Sequence, residues 1–300
     1  MAVKVAFLQN SSCWGCHQSL LNAHLALLQV LPELEIVYWP AVVDFKMESL
    51  KARKDGEIVV GFIEGGIRTE GDRENTLLLR KKCQLIVSFG TCATYGGVFG
   101  MANLWNKDEL LSKKFTEEPS LGAKVIPSEH VPAILDRLYT VPETIKVDVK
   151  LTGCPPATSN IVDAVLYLLG KNPDYHPPHL SVCDECKRTK ENKVLKELKR
   201  DYEGMPNTHD CLINQGYICM GSATKSGCGC QCPNANAPCL GCYGPTENVK
   251  DHGAKILATM TSICSLPPEE ILEKLPDPAG LFNRFTLASS TLKQRVKDHK

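Results

Sequence analysis

Fifteen cysteines lie within 300 residues, and their spacing is where this sequence first offers chemistry. Cysteine thiolates attack electrophiles, exchange disulfides or bind soft metals, and spacing and compartment decide which. Cys13 and Cys16 form a C-x-x-C pair, Cys92 stands in G-T-C-A and Cys154 in G-C-P-P. Nine more lie between Cys183 and Cys242: C-D-E-C at Cys183 and Cys186, then Cys211 and Cys219, the close trio Cys228, Cys230 and Cys232, and C-L-G-C at Cys239 and Cys242. Cys83 and Cys264 stand apart from any motif. An odd total does not suit a fully paired disulfide framework. The first ten residues have no basic start, long apolar stretch or cleavage site, so a cytoplasmic chain is expected, where clustered cysteines hold metal or do redox work.

Composition removes other classes. With 34 Lys+Arg against 34 Asp+Glu, the chain has no bulk attraction for nucleic acid or an anionic membrane. No uncharged apolar run of about 18 residues occurs, so no membrane partner is expected. Neither G-x-G-x-x-G nor G-x-x-x-x-G-K-[ST] is present, so nucleotide binding has no motif behind it.

The elements that must position these thiols alternate over the first 170 residues. Short Val- and Ile-rich runs at 3–8, 34–39, 58–63, 85–89 and 145–151 predict strands, and 19–31, 72–82, 128–138 and 159–169 have helical length and period, each with a Ser or Asp to cap it. This is the pattern of a doubly wound α/β sheet. Cys13 and Cys16 follow the first strand, Cys92 the fourth and Cys154 the fifth, and Glu64 follows the third. In an open α/β sheet the strand ends share one crevice. Four thiols converging there, among Gly15, Gly90, Gly96, Gly97 and Gly153, suit a 4Fe-4S cluster. The plainer reading of Cys13 and Cys16 is a thioredoxin-like dithiol, which Cys92 and Cys154 weaken.

From about 175 to 245 extended apolar periodicity is lost. Such a segment needs an organiser other than hydrophobic burial, and metal ligation contributes folding free energy directly. Two C-x-x-C pairs could instead make a structural Cys₄ zinc site, and that alternative stays open here.

Taken together, the motifs resemble one family. They are S-S-C-W-G-C-H-Q-S from Ser11, W-P-A-V-V-D-F-K from Trp39, E-G-G-I-R-T-E from Glu64, F-G-T-C-A-T-Y-G-G from Phe89, G-C-P-P from Gly153, C-D-E-C from Cys183, I-C-M-G-S-A-T-K-S-G-C-G from Ile218 and C-L-G-C-Y-G-P-T from Cys239. In this order they resemble the small, electron-transferring subunit of nickel-iron hydrogenases, in particular the methyl-viologen-reducing (deazaflavin-non-reducing) type that works with heterodisulfide reductase in methanogenesis.

The resemblance implies a flavodoxin-like domain over 1–174, a cysteine-rich iron-sulfur domain with little regular structure over 175–265, and a tail over 266–300 that wraps a partner. It implies three 4Fe-4S clusters. Cys13, Cys16, Cys92 and Cys154 match the proximal ligands, Cys183, Cys186, Cys211 and Cys219 the distal set, and Cys228, Cys232, Cys239 and Cys242 the medial set. Cys230 competes with Cys232 for the medial role. Cys183 stands where periplasmic relatives have a histidine and Cys232 where they have a proline. Both departures favour full 4Fe-4S clusters, and the added thiolate charge favours lower potentials. Implied partners are a nickel-iron large subunit, an additional iron-sulfur electron-transfer subunit and heterodisulfide reductase.

The remaining residues read as follows. Glu64 is either a proton or interface residue beside the crevice or an ordinary capping carboxylate, and His17 either tunes the first site or faces solvent at a helix start. Cys83 reads as a small buried hydrophobe, Cys264 as a cysteine without metal, and 187–200 as a solvated helix. Alternative functions are the small subunit of a deazaflavin-reducing or NAD(P)-linked hydrogenase and, in a different class, a zinc-stabilised scaffold without redox activity. The related quinone-reductase subunit of respiratory complex I shares the first domain but not the cysteine-rich region.

Overall fold

The computed structural model describes residues 2–118 and 125–294, which divide into two compact units, 2–175 with 287–294 and His176–Thr286. In chain order the first unit runs β1 (Val3–Gln9), α1 (Gly15–Leu21), α2 (Leu25–Val30), β2 (Leu34–Tyr38), α3 (Met47–Lys51), β3 (Ile58–Glu64), β4 (Ile67–Thr69), α4 (Glu70–Lys82), β5 (Cys83–Phe89), α5 (Thr91–Tyr95), α6 (Lys107–Phe115), β6 (Ile134–Tyr139), α7 (Val141–Thr144), β7 (Val149–Leu151) and α8 (Thr158–Leu168). Five strands form one parallel sheet in the order β2-β1-β3-β5-β7. That is the flavodoxin-like winding, with its change of direction between β1 and β3.

Alternation along the strands builds a core on each face. Val5, Phe7, Val60, Phe62, Val87 and Phe89 point toward Leu20 of α1 and Ile161 and Ala164 of α8. Ala6, Leu8, Ile63 and Ile86 pack on the other face with Leu50 of α3, Leu79 of α4 and Val141 of α7. Both faces are therefore covered, as a parallel sheet requires. Gly61 of β3 sits where a Cβ would come 2.6 Å from the Cys83 sulfur and 3.0 Å from Ile86. Cys83 itself is buried in this core, filling the role of a small hydrophobe.

Several elements differ from those the periodicity predicts. The helix expected at 128–138 is absent: β6 occupies Ile134–Tyr139 and pairs antiparallel with β4. Pro132 disfavours helical backbone at Val131, and Leu135 and Leu138, three apart and buried, imitate helical spacing. The helix expected at 19–31 begins earlier, at Gly15, and breaks at His24, whose φ is 47°. Of the four expected helices, α4 has the clearest cap, and Thr69 rather than Asp72 is its N-cap. The strand expected at 145–151 is confined to Val149–Leu151.

In the second unit α9 (Val182–Glu185), α10 (Gln231–Asn234), α11 (His252–Ile263), α12 (Pro268–Lys274) and α13 (Pro278–Phe282) are short apart from α11. The solvated helix expected at 187–200 is not formed. Instead the Thr189 N–H donates to His209 O, Leu195 N–H to Ile263 O and Lys199 N–H to Gly216 O, while Leu195 and Leu198 are buried. Long-range backbone pairing overrides the helix propensity of Lys and Glu. The segment expected as a tail from 266 carries α12 and α13 and sends Leu275 and Phe282 into this unit's core. Residues 287–294 return to the first unit, where Asn103 Nδ2 donates to the Lys293 carbonyl at 2.9 Å.

Candidate metal centres

The loops after β1, β3, β5 and β7 are stitched to one another before any cofactor is considered. Asn10 N–H donates to Glu64 O at 2.8 Å, and Ser11 and Gly66 exchange backbone bonds at 3.1 and 3.0 Å. Asp72 Oδ2 accepts from Ser11 Oγ at 2.9 Å and from the Arg68 and Thr69 N–H groups. On the other side, Gly90 N–H reaches Leu151 O, Thr91 N–H reaches Gly153 O at 2.9 Å, and Gly153 N–H returns to Thr91 Oγ1 at 3.0 Å. Ser19 Oγ donates to Pro156 O at 2.7 Å, tying α1 to the G-C-P-P turn. These bonds hold Cys13 and Cys16 on one wall and Cys92 and Cys154 on the other.

The four sulfurs lie within each other's field. The Cys16 thiol is pushed up by burial, then by Glu64, Cys92, Cys154 and Cys13. Cys92 rises to about 12 through burial, then Cys154, Cys13 and Glu64. Cys154 rises through burial, then Cys13 and Glu64. Thiols crowded in a desolvated crevice resist ionisation until a cation offsets their charge, and iron is such a cation. The backbone fits the same group. At Gly90 and Gly97 any Cβ would overlap the sulfurs of Cys16 and Cys92, and at Gly15 it would lie 3.2 Å from the Cys13 sulfur. Among the described residues no group of three or more His, Cys, Asp or Glu side chains is placed to hold a single metal ion; what the glycine-walled crevice and its neighbouring thiols suit is a larger, multinuclear group.

Glu64 and His17 are buried beside it, at 1% and 0% exposure. Glu64 Oε1 accepts the Cys16 N–H at 3.3 Å, and its carboxyl is raised mainly by desolvation. The alternative of a solvent-facing His17 is therefore corrected: Phe7, Trp39 and Phe89 enclose its ring. Trp39 Nε1 donates to its Nδ1 at 3.4 Å. Its Nε2 lies 3.4 Å from Glu64 Oε2, without the alignment of a hydrogen bond. Burial lowers this histidine to about 4, so it is neutral at ordinary pH.

In the second unit, Cys183, Cys186, Cys211 and Cys219 form a second electrostatic group. Cys183 is raised to about 11 by burial, offset by Lys190 and reinforced by Cys211 and Cys186. Cys219 rises to about 12 through burial, is offset by the N–H groups of Gly221 and Cys239, and is raised further by Cys183 and Cys211. The Cys239 N–H lies 3.3 Å from the Cys219 sulfur.

The four thiols expected as the third set group as two pairs, Cys228 with Cys232 and Cys239 with Cys242, and the nearest influence on Cys239 comes from Cys219 of the second group. Cys232 is raised by burial and then Cys228. Cys239 is raised by burial and then Cys219, with Cys242 a smaller influence. Cys230 is fully buried and is raised to about 12 by burial, then by Cys186 of the second group, and less by Cys228 and Cys219. Cys264 packs half-buried against this unit's core.

Three comparisons with known proteins bear on this geometry. Residues 13–168 match the family described as NADH ubiquinone oxidoreductase, 20 Kd subunit. A vhu subunit of the F420-non-reducing hydrogenase of Methanocaldococcus jannaschii is 41% identical over 298 residues, covering 99% of both chains. That full-length match decides the matter, because it includes the cysteine-rich unit beyond residue 168. The chain belongs to the F420-non-reducing hydrogenase small subunits. Among solved structures, a chain of the NAD+-reducing [NiFe]-hydrogenase in the H2-reduced state aligns with TM-score 0.53 and 25% identity over 59% of this chain and 96% of its own. A chain of the [NiFeSe] hydrogenase from Desulfovibrio vulgaris Hildenborough aligns with TM-score 0.53 over 83% of this chain and 95% of its own; at 17% identity it speaks for the fold alone.

In this hydrogenase small subunit some site residues escape reasoning from motifs. Arg188 and Glu185 lie in or beside C-D-E-C, yet nothing in their spacing shows that they reach 40 residues ahead. Arg188 donates to Asn207 O, Asp210 O, Pro233 O and Asn236 Oδ1. His252 is buried, with its Nε2 at 3.0 Å from Thr224 Oγ1. Trp39 is visible in the sequence only as part of the W-P-A-V-V-D-F-K motif, and its bond to His17 gives that motif a physical role.

Proposed function

We propose that this chain relays electrons from dihydrogen oxidation on a nickel-iron large subunit through three 4Fe-4S clusters to a further iron-sulfur subunit and on to heterodisulfide reductase, in the cytoplasm. The observation that carries the reading is the first site: four thiols held at strand ends, with glycines where any side chain would strike the sulfurs. Iron-sulfur clusters supply reversible one-electron storage, which a two-electron oxidation feeding a one-electron chain requires.

The chain's own residues do the positioning. Cys13, Cys16, Cys92 and Cys154 are the proposed proximal ligands, Cys183, Cys186, Cys211 and Cys219 the distal ligands, and Cys228, Cys232, Cys239 and Cys242 the medial ligands. For the medial set, Cys230 feels Cys186 before Cys228, whereas Cys232 feels Cys228 first among the cysteines, which supports Cys232 as the partner of Cys228. Glu64 fixes the Cys16 amide, and His17 and Trp39 keep water from that side of the site. Among the described residues no helix is long and apolar enough to cross a membrane. The proposed domain boundary is near 175, where the first unit's sheet and α8 are complete.

Anaerobic purification with iron and sulfide analysis, together with identification of copurifying chains, tests the reading. Roughly twelve irons per chain are expected, at four per Cys₄ cluster, with a large subunit and an iron-sulfur subunit alongside. Zinc without acid-labile sulfide overturns it.

A further inference from the structure

The C-D-E-C-K-R stretch at 183–188 does more than present two thiols. Its Glu185 carboxylate crosses to the loop that carries Cys228: Oε1 accepts the Gly227 N–H at 2.7 Å and Oε2 the Cys230 N–H at 3.1 Å. That loop turns through positive φ at Gly227, Gly229 and Cys230 (106°, 66° and 55°). A turn of this kind gathers backbone N–H groups into a concave anion site, and Glu185 fills part of it. Two further contacts join the same segments. The buried Cys230 thiol meets Cys186, and the Arg188 guanidinium holds Pro233 O and Asn236 Oδ1 at 3.0 and 2.6 Å, just beyond Cys232.

We infer that Glu185 is a positioning residue that fixes the loop bearing the medial thiols Cys228 and Cys232 against the turn bearing the distal thiols Cys183 and Cys186, and so sets the relation between the two clusters. The inference rests on the cluster assignment proposed above. Spacing between redox centres governs transfer between them, and a carboxylate shared by both segments places one negative charge beside both. Removing that charge stabilises the reduced clusters and raises both potentials. Asp184 is the natural contrast. It carries the same charge between the same two cysteines, but its carboxylate bonds back to Ser181 N and Oγ and leaves the 227–230 loop untouched.

The test uses the purified complex with Glu185→Gln, Glu185→Asp and Asp184→Asn. Gln keeps the shape but offers a single acceptor oxygen, and Asp keeps the charge while falling one methylene short. Two readouts are taken: hydrogen exchange of the peptide spanning 226–231, and redox titration of the paramagnetic signals of the second unit. In Glu185→Gln, exchange should rise about tenfold or more, as expected for losing a charge-assisted bond, and both the medial and the distal signals should titrate at higher potential. In Glu185→Asp the faster exchange should recur, with a changed medial signal. Asp184→Asn should leave exchange at 226–231 and the medial signal as in the wild type.

The inference fails if Glu185→Gln leaves exchange at 226–231 unchanged, if Glu185→Asp matches the wild type in both readouts, or if Asp184→Asn moves the medial signal as far as Glu185→Gln does. An iron-free wild type would instead overturn the function proposed above, so the two failures are distinguishable.

Discussion

Gly90 has no room for a Cβ because the Cys16 sulfur occupies that space. The two residues belong to different loops, one after β5 and one opening α1, so the collision would be between walls of the first site. Gly90 also has φ of 86°.

Gly90→Ala should therefore remove the first centre while leaving the second unit's centres in place. Overpacking costs about 1–3 kcal/mol, and a side chain at this positive φ with extended ψ, a region essentially reserved to glycine, adds roughly 1–3 kcal/mol. Iron per chain should fall by about a third, four of twelve at four per cluster. Full iron content in a folded Gly90→Ala variant would contradict the geometry.

Cys232→Ala and Cys230→Ala should differ. The first should lose about four irons and the second none, because four irons accompany each Cys₄ set and Cys230 is enclosed beside Cys186 rather than paired with Cys228 alone. Iron and sulfide analysis of each variant, prepared anaerobically, decides between them. Loss in Cys230→Ala with retention in Cys232→Ala would reverse the ligand assignment.

How much of this is legible in the sequence depends on the kind of force involved. The strands at Val3–Gln9 and Ile58–Glu64 and the C-terminal positions of Cys13, Cys92 and Cys154 follow from period and order, because a buried parallel strand must be apolar and ligands collect at strand ends. The strand at Ile134–Tyr139 is hidden by the three-residue spacing of its buried leucines. The irregular path of 187–200 is hidden because its partners, His209, Gly216 and Ile263, are distant in the chain. Glu185 and Arg188 are hidden for the same reason: a residue's own neighbours do not reveal what it grips 40 positions away.

His252 gives a pH prediction. Thr224 Oγ1 donates to Met220 O at 2.6 Å, which leaves its lone pairs to accept from a proton on His252 Nε2 at 3.0 Å. Burial lowers the histidine from 6.5 to about 4. Between those values the unfolded chain binds the extra proton and the folded chain does not, so stability is complete above pH 6.5 and falls as pH drops toward 4. The loss approaches about 3 kcal/mol at 1.36 kcal/mol per pKa unit. His252→Gln should flatten this part of the difference in thermal midpoint between pH 7 and pH 4.5, roughly the span over which the histidine titrates. An unchanged slope would refute the assignment.

Arg188→Lys should destabilise the second unit by about 1–3 kcal/mol, because one ammonium cannot span acceptors arranged for a planar fork. Denaturation of the intact chain should show an earlier transition, accompanied by faster release of iron from the second unit. A variant as stable as the wild type would mean that the carbonyls of Asn207, Asp210 and Pro233 find water without cost.

Gly61 and Cys83 share a single volume between two neighbouring strands. Neither position can be read alone: a methyl at 61 needs the sulfur at 83 to shrink or turn away, and the Cys83 sulfur occupies the space that Gly61 leaves open. Among related chains the two positions should therefore vary as a pair, with size passing from one strand to the other at nearly constant sum. A cysteine kept at 83 would then record the shape of the sheet rather than any reactivity of its thiol.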